Sequence, residues 1–438
     1  MKLHITHTML RAVAGLVTAV TVLASCSATE EPVPPEEQPE YGTSEGRVVL
    51  FYVAVENTLA GFGNEDAREV LAGARYMGSK DHALILIDDL QKPRLYDITF
   101  KDRNTPMADL KPIISYDEDF DSCSPEVFGD ILQFVRQNYP SPSYGLVMES
   151  HASGWLTPRP ASAGAQPADY SQAWGAKSRS ADTRRRSFGF DNGQNSHTDS
   201  GSQLSVDDIR DQILRFGRFD FILFDACFMQ NIEVAYQLRN CARYIIGSPA
   251  EIPAYGAPYD TMLKPMFSDS AYVEDMVRTY RDSYTDDPLY GVLLSAIDCS
   301  RLEQVAGATA AYVHAYKQTL LSMNYDGVLD YLRWDRYYMH DYSDYYDMRS
   351  IMRTALSQAD YEAWYTVYSR LFVCQFYTDY WYSSFNRSRY NSVVPDHYSG
   401  LSMHVPLEKY ATRNKWFAPA YYATDWAQAV WGDPAAHI

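Results

Sequence analysis

From Arg47 onward the chain alternates short, compact apolar runs with amphipathic stretches, and no other feature constrains its fold as much. A strand that reads as a continuous apolar run has to be buried on both faces, and the architecture that does this is a mostly parallel sheet between layers of helices. Five such runs are expected as strands: Arg47–Val55, His82–Ile87, Tyr144–Met148, Phe219–Phe224 and Arg243–Ile246. A sixth is expected within Tyr290–Ile297 and a late one within Leu401–Leu407. Val70–Tyr76 and Val127–Asn138 carry apolar residues at helical spacing and serve as crossovers. Ser205 followed by Asp208 has the form of a capping box, and Val206, Ile209, Ile213 and Leu214 then form one apolar face. An Ala-rich helix is expected from Arg301 to about Leu321, with acidic support at Glu303. The fold class is therefore α/β, with a core over residues 46–300 and an extension over 301–438.

Two segments depart from this rhythm. Thr157–Gln203 has scattered Gly, Ser, Pro and Asn, little apolar periodicity and a basic cluster at Lys177, Arg179, Arg184, Arg185 and Arg186, so it reads as one long mobile loop. Tyr331–Tyr390 is crowded with Tyr and Trp and reads as helices packed on the core by amphipathic aromatics, in preference to a carbohydrate-binding platform.

The N-terminus speaks for export. Lys2 and Arg11 precede an apolar run, Ala12–Ala24, that is too short to span a bilayer, so residues 1–25 read as a signal peptide. Leu23-Ala24-Ser25-Cys26 resembles the bacterial lipobox, which makes Cys26 the expected lipid-bearing first residue of a membrane-anchored protein. Residues 26–45 are dense in Glu and Pro and bury too little to offset their ordering entropy, so a disordered tether is expected. With 38 basic against 56 acidic residues the net charge is −18, which opposes nucleic-acid binding and favours basic partners. Cys123, Cys227, Cys241, Cys299 and Cys374 are odd in number, with no CxxC and no metal-type spacing, and there is no HExxH.

In a parallel sheet, catalytic groups collect just past the C-terminal ends of the strands. Tyr144–Met148 runs through Glu149-Ser150 into His151, and Phe219–Phe224 runs through Asp225-Ala226 into Cys227. Cys227 also precedes an expected helix, Gln230–Leu238, whose N-terminal amides and dipole would favour a thiolate. Either residue alone is more often structural; the pair, each after an apolar strand, is more specific.

His151-Ala152-Ser153-Gly154-Trp155 and Asp225-Ala226-Cys227-Phe228-Met229, in this order, resemble the two signatures of the clostripain family of cysteine peptidases, and Ser248–Gly256 resembles that family's segment after the next strand. The resemblance covers roughly Arg47–Asp298 and implies a caspase-like three-layer sandwich. It also implies peptide hydrolysis through an acyl-enzyme, with Cys227 as nucleophile, His151 as proton carrier and the backbone N–H groups of Cys227 and Ala152 as oxyanion donors. The family usually has Gly after the histidine, so Ala152 would be strained if that position requires positive φ. By the same resemblance Asp225 would form the base of a pocket for Arg or Lys, with Glu251 on its wall, and maturation would cut between the histidine and cysteine segments, where the basic loop lies. The competing reading of Asp225 is a strand-end carboxylate that accepts backbone hydrogen bonds. Some members use calcium, but the acidic residues show no EF-hand spacing, so no cofactor is expected. Gly42-Thr43-Ser44-Glu45-Gly46 matches a serine-hydrolase elbow in letters but precedes the first strand. The remaining rival is a catalytically silent surface lipoprotein that binds glycan or protein.

Overall fold

The computed structural model describes residues 46–156, 188–191, 201–287, 289–333, 343–386, 389–407 and 420–432. In chain order the strands are β1 (Arg47–Ala54), β2 (His82–Asp88), β3 (Arg94–Ile98), β4 (Ile114–Ser115), β5 (Ser143–Glu149), β6 (Phe188–Asp191), β7 (Ser202–Leu204), β8 (Phe219–Asp225), β9 (Ala242–Gly247), β10 (Leu293–Asp298), β11 (Asp330–Arg333), β12 (Ser343–Asp347), β13 (Phe372–Tyr377), β14 (Tyr380–Tyr382), β15 (Tyr390–Ser392) and β16 (Ser402–Met403). Nine of them form one sheet in the order β13-β10-β9-β8-β5-β1-β2-β3-β4. The central strands β9, β8, β5, β1 and β2 run parallel to one another, while the pairings outward from them, β9 with β10 and β10 with β13 on one side and β2 with β3 and β3 with β4 on the other, are antiparallel.

The period-two alternation of β1 shows why its run is apolar throughout. Val48, Leu50, Tyr52 and Ala54 face one core, shared with Val127, Ile131 and Val135 of α2 (Pro125–Asn138 in chain order after α1, Ala60–Gly73) and with Ile209 and Ile213 of α3 (Val206–Phe216). Val49, Phe51, Val53 and Val55 face a second core, shared with Ala67 and Val70 of α1. With helices over both faces the sheet is the middle of three layers. The capping box at α3 is formed: Ser205 Oγ accepts from the Asp208 N–H at 2.9 Å, and Asp208 Oδ2 accepts from the Ser205 N–H at 3.3 Å. An N-terminal cap of this kind contributes about 1 kcal/mol.

The remaining helices are α4 (Ile232–Gln237), α5 (Tyr259–Met266), α6 (Tyr272–Ser283), α7 (Leu302–Ala315), α8 (Lys317–Ser322), α9 (Met348–Ala355), α10 (Gln358–Tyr368) and α11 (Asp425–Val430). Two expectations need correcting. Thr157–Gln203 is not loop throughout, because Phe188–Asp191 and Ser202–Leu204 pair antiparallel and Phe188 is fully buried. Strands this short carry no readable periodicity. Tyr331–Tyr390 is not only helical either: β11 to β15 lie within it, β13 extends the main sheet, and β11-β12-β16 form a small sheet of their own. Its aromatics act as core, as expected; Trp364 is buried in the same cluster as Phe224 and donates its indole N–H to Thr309 Oγ1 at 3.0 Å. Among the described residues no helix is long and apolar enough to cross a membrane.

Candidate active site

Strands β5 and β8 are adjacent and parallel, in a register that sets Glu149 opposite Asp225. His151 and Cys227 each stand two residues further on, at the same sheet edge, and both line a pocket of about 250 Å³ together with Leu59, Asp66, Glu149, Asp225, Glu251 and Ser384. Both are half-buried. Cys26, Lys177, Arg179, Arg184, Arg185 and Arg186 lie outside the described residues.

The loop carrying Cys227 is braced by the segment after β9. Phe228 N–H donates to Ala250 O and Gln230 N–H to Ser248 O, both at 3.0 Å, and the Ile252 N–H points at Cys227 Sγ at 3.4 Å. Phe228, next to the thiol, has φ of 61°, a conformation that costs a non-glycine residue about 1–2 kcal/mol and is held here by those bonds and by stacking on Tyr345. The helix that follows is shorter than expected. Asn231 is its N-cap, accepting from the Val234 N–H at 2.9 Å, and its first turn begins at Ile232 and not at Gln230. Instead of being favoured as a thiolate, Cys227 is pushed up to about 12, by burial first and by the charge of Glu251 second, against a smaller downward pull from the Ile252 N–H.

On the histidine side, His151 Nε2 lies 2.8 Å from Thr58 Oγ1, in the turn after β1. The His151 carbonyl accepts from the Gly189 N–H of β6 at 2.8 Å, and Ala152 faces Phe188 across an isolated bridge. Ala152 does not have positive φ, so the alanine introduces no backbone strain. The positive φ falls on Gly154, where a Cβ would come within 2.4 Å of both Asn231 Nδ2 and the Tyr345 hydroxyl. The histidine and cysteine loops are thus packed against each other through a position that only glycine fills.

The pocket is acidic. Asp225 is almost fully buried; its Oδ2 accepts from the Ala257 N–H at 2.9 Å and the Tyr259 hydroxyl at 2.7 Å, and its Oδ1 from the Tyr280 hydroxyl at 2.6 Å. Burial raises it and these three donors pull it back down. Both readings of Asp225 therefore have a physical basis: it lines the pocket, and it anchors the segment after β9, where Gly256 (φ 61°) has room for no Cβ beside its carboxylate. Glu251 is half-buried, and Ser384 holds it through a backbone N–H at 2.7 Å and through its hydroxyl.

Several contributors are not evident in the sequence: Thr58, Asp66, Glu149 and Ser384. Asp66 and Glu149 are both buried and hydrogen-bonded to each other. Burial and the Glu149 charge push Asp66 up to about 12, and burial pushes Glu149 up to about 8, so both carboxyls are held largely protonated at neutral pH. The one sequence signal is a carboxylate on the buried stripe of α1, between Gly63, Ala67 and Val70.

A family model described as the clostripain family matches residues 51–431. Clostripain of Hathewaya histolytica is 22% identical over 211 residues, a match that covers 44% of this chain and 35% of that relative, so the chain spans about a third of its length. Among solved structures, a secreted C11 cysteine protease from Bacteroides thetaiotaomicron, in complex with an irreversible peptide inhibitor, is similar with a TM-score of 0.68 and 26% identity, over 88% of this chain and 98% of that one. An inactive zymogen C11 protease from Parabacteroides distasonis is similar with a TM-score of 0.69 and 25% identity, over 89% and 99%.

Proposed function

This chain belongs to the clostripain family, and on that premise we propose that it is an exported cysteine endopeptidase that cleaves after Arg or Lys. The observation that carries the reading is the placement of His151 and Cys227 past the ends of adjacent parallel strands, in one pocket with Asp66, Glu149, Asp225 and Glu251. Because burial and Glu251 hold the thiol protonated, its proton has to leave as the sulfur attacks, which calls for a base rather than a preformed thiolate. His151 takes that proton; with Nε2 held by Thr58, Nδ1 is the nitrogen that exchanges it. Sγ bonds to the scissile carbonyl carbon, and the negative oxygen meets the N–H groups of Cys227 and Ala152. His151 then protonates the departing amine, and water, giving its proton to the same ring, releases the acid and restores the thiol.

Specificity follows from charge. Glu149 Oε2 has no hydrogen-bond partner and Asp225 supplies a fixed carboxylate, so a guanidinium or ammonium group entering the pocket finds one acceptor to bond and a second to balance it. The same preference would allow self-cleavage after Lys177, Arg179, Arg184, Arg185 or Arg186, and the zymogen form crystallised for a relative supports maturation by cutting. Cys26 would carry the lipid anchor of the exported protein.

Cys227→Ala and His151→Ala, compared with wild type on peptides that differ only before the cleaved bond, test the reading. Each should lower hydrolysis by about a thousandfold or more, Arg and Lys peptides should be preferred, and intact mass should show a cut between 177 and 186 in wild type alone. Undiminished hydrolysis in either variant, or preference for acidic or apolar residues, removes the corresponding assignment. A wild type that hydrolyses no peptide would favour the silent binding lipoprotein.

A further inference from the structure

The sheet edge that carries His151 and Cys227 continues past the pocket on the cysteine side. Tyr255 follows β9, Tyr290 precedes β10 and Tyr382 lies in β14, just after β13; because β10 is antiparallel to both its neighbours, all three stand at the edge where β8 ends. Their rings meet in a row. Phe62 of α1 contacts Tyr255 with centroids 5.4 Å apart, Tyr255 contacts Tyr290 at 6.4 Å, Tyr290 contacts Tyr382 at 5.9 Å, and Tyr382 contacts Tyr390 of β15 at 5.7 Å. Tyr255 is 64% exposed, with Leu289 at 54% and Tyr390 at 51%, and an apolar row left this open marks a binding surface. The row is held in place: the Tyr380 hydroxyl donates to the Asp287 carbonyl at 2.8 Å, which ties β14 to the segment before β10, and Arg389 donates to the Tyr382 hydroxyl at 3.0 Å.

We propose that this row is a second subsite for the substrate, which receives a large apolar side chain from one of the two residues preceding the Arg or Lys at the cleaved bond, with Tyr255 as its first wall. The inference rests on the peptidase reading above. The row is continuous with the pocket: Ala254 and Gly256, on either side of Tyr255, line it, as do Leu59, three residues before Phe62, and Phe385, three residues after Tyr382. Sheet order fixes which half of the substrate meets the row. In β9-β8-β5 the cysteine strand stands between the row and the histidine strand. His151 protonates the departing amine, so the leaving half lies on the β5 side, and the acyl half, with the residues before the cleaved bond, lies on the β9 side. An extended peptide advances about 3.4 Å per residue, so with its basic side chain in the pocket its two preceding residues cross the first rings. Neighbouring rings are steeply inclined, at 87° for Phe62 and Tyr255 and 82° for Tyr290 and Tyr382. Edges therefore alternate with faces, which makes notches for single side chains and not the flat platform on which a sugar ring stacks.

Two measurements on the whole purified protein test the subsite: hydrolysis of Arg peptides in which one of the two preceding residues is Phe, Leu, Gly or Asp, and binding of the same peptides, labelled for fluorescence anisotropy, to Cys227→Ala. Burial of one large apolar side chain should make kcat/KM for Phe and Leu peptides about tenfold higher than for the Gly peptide, and Kd in the Cys227→Ala protein should follow the same order. Adding Tyr255→Ala should bring both ratios close to one, whereas Tyr255→Phe, which keeps the ring, should preserve them; with Tyr255 so exposed, neither substitution should move the Tm. Hydrolysis of Arg peptides with no apolar preference in wild type, or a preference that survives Tyr255→Ala, would overturn the subsite and leave the peptidase reading standing. Preferential binding of the Phe peptide with no cleavage of any Arg peptide would remove the peptidase reading and keep the row as a peptide site. Binding of maltohexaose that depends on Tyr255, with no discrimination among the peptides, would assign the row to a glycan and overturn the inference.

Discussion

Glu149 is where the demands of the pocket and those of the fold conflict most directly, and Glu149→Gln separates them. In the native protein burial raises this carboxyl from its ordinary 4.5 to about 8, while Asp66 holds the neighbouring proton. Between those two pH values the native state binds a proton that the unfolded chain has released, so stability falls as pH rises, by about 1.4 kcal/mol per pH unit and by about 5 kcal/mol across the window. The full contribution is present below pH 4.5 and lost by about pH 8. Glutamine stays neutral, fits the same space and still accepts from Asp66, so the variant should lose this part of the slope. Glu233, also raised to about 8 by burial, keeps a parallel slope in both proteins, so the difference between them isolates Glu149. Urea unfolding at pH 5, 6.5 and 8 is the assay, with curves that converge at low pH and diverge above it. The same substitution denies an entering guanidinium a carboxyl that can give up its proton and pair with it, and the KM for Arg peptides should rise about tenfold or more, the worth of one hydrogen bond to a charged group. Parallel stability curves would refute the raised carboxyl, and an unchanged KM would refute its part in substrate binding.

Two further outcomes are expected. Thr58→Val should lower kcat about tenfold with KM and Tm unchanged, because Thr58 is exposed and its hydroxyl bears on the His151 ring; kinetics and a melt on one preparation check both. His404, packed between Trp155 and Tyr421 with its ring bonded to the Asp344 carbonyl, is lowered from 6.5 to about 4 by burial. Stability it contributes above pH 6.5, about 3 kcal/mol, should be lost as pH falls towards 4, and His404→Gln should flatten that acid limb.

What was readable in the sequence follows from burial. Strands β1, β2, β5, β8 and β9 match the expected runs to within a residue or two because both their faces are covered, so apolar residues dominate each run. Strand β3 escaped notice because Arg94 and Asp97 break the run where it leaves the covered part of the sheet. The strands of the Tyr-rich region escaped because tyrosine serves helix and strand cores alike, as Tyr345 in β12 and Tyr361 in α10 show. His151 and Cys227 stood out because reactive residues just past apolar strands are conspicuous in one dimension. Asp66, Thr58 and Ser384 were not, since each reaches the pocket from an element whose own sequence gives no reason for it to be there.

That last group bears on how the site is held together. Ser384 grips Glu251, and the Tyr345 hydroxyl donates to the Ser153 carbonyl at 2.5 Å, so residues after 340 fix both the wall of the pocket and the histidine loop. Strand β6 supports the same loop from the other side through Gly189. A cut between Lys177 and Arg186 would separate β5 with its histidine from β6, β8 and the cysteine in covalent terms. Of the contacts on the histidine loop, that of His151 with Thr58 lies within the first piece, while those of His151 with Gly189 and of Ser153 with Tyr345 cross between the two pieces, and none needs an intact loop. Cleavage can therefore change access to the pocket while leaving the geometry of its residues in place.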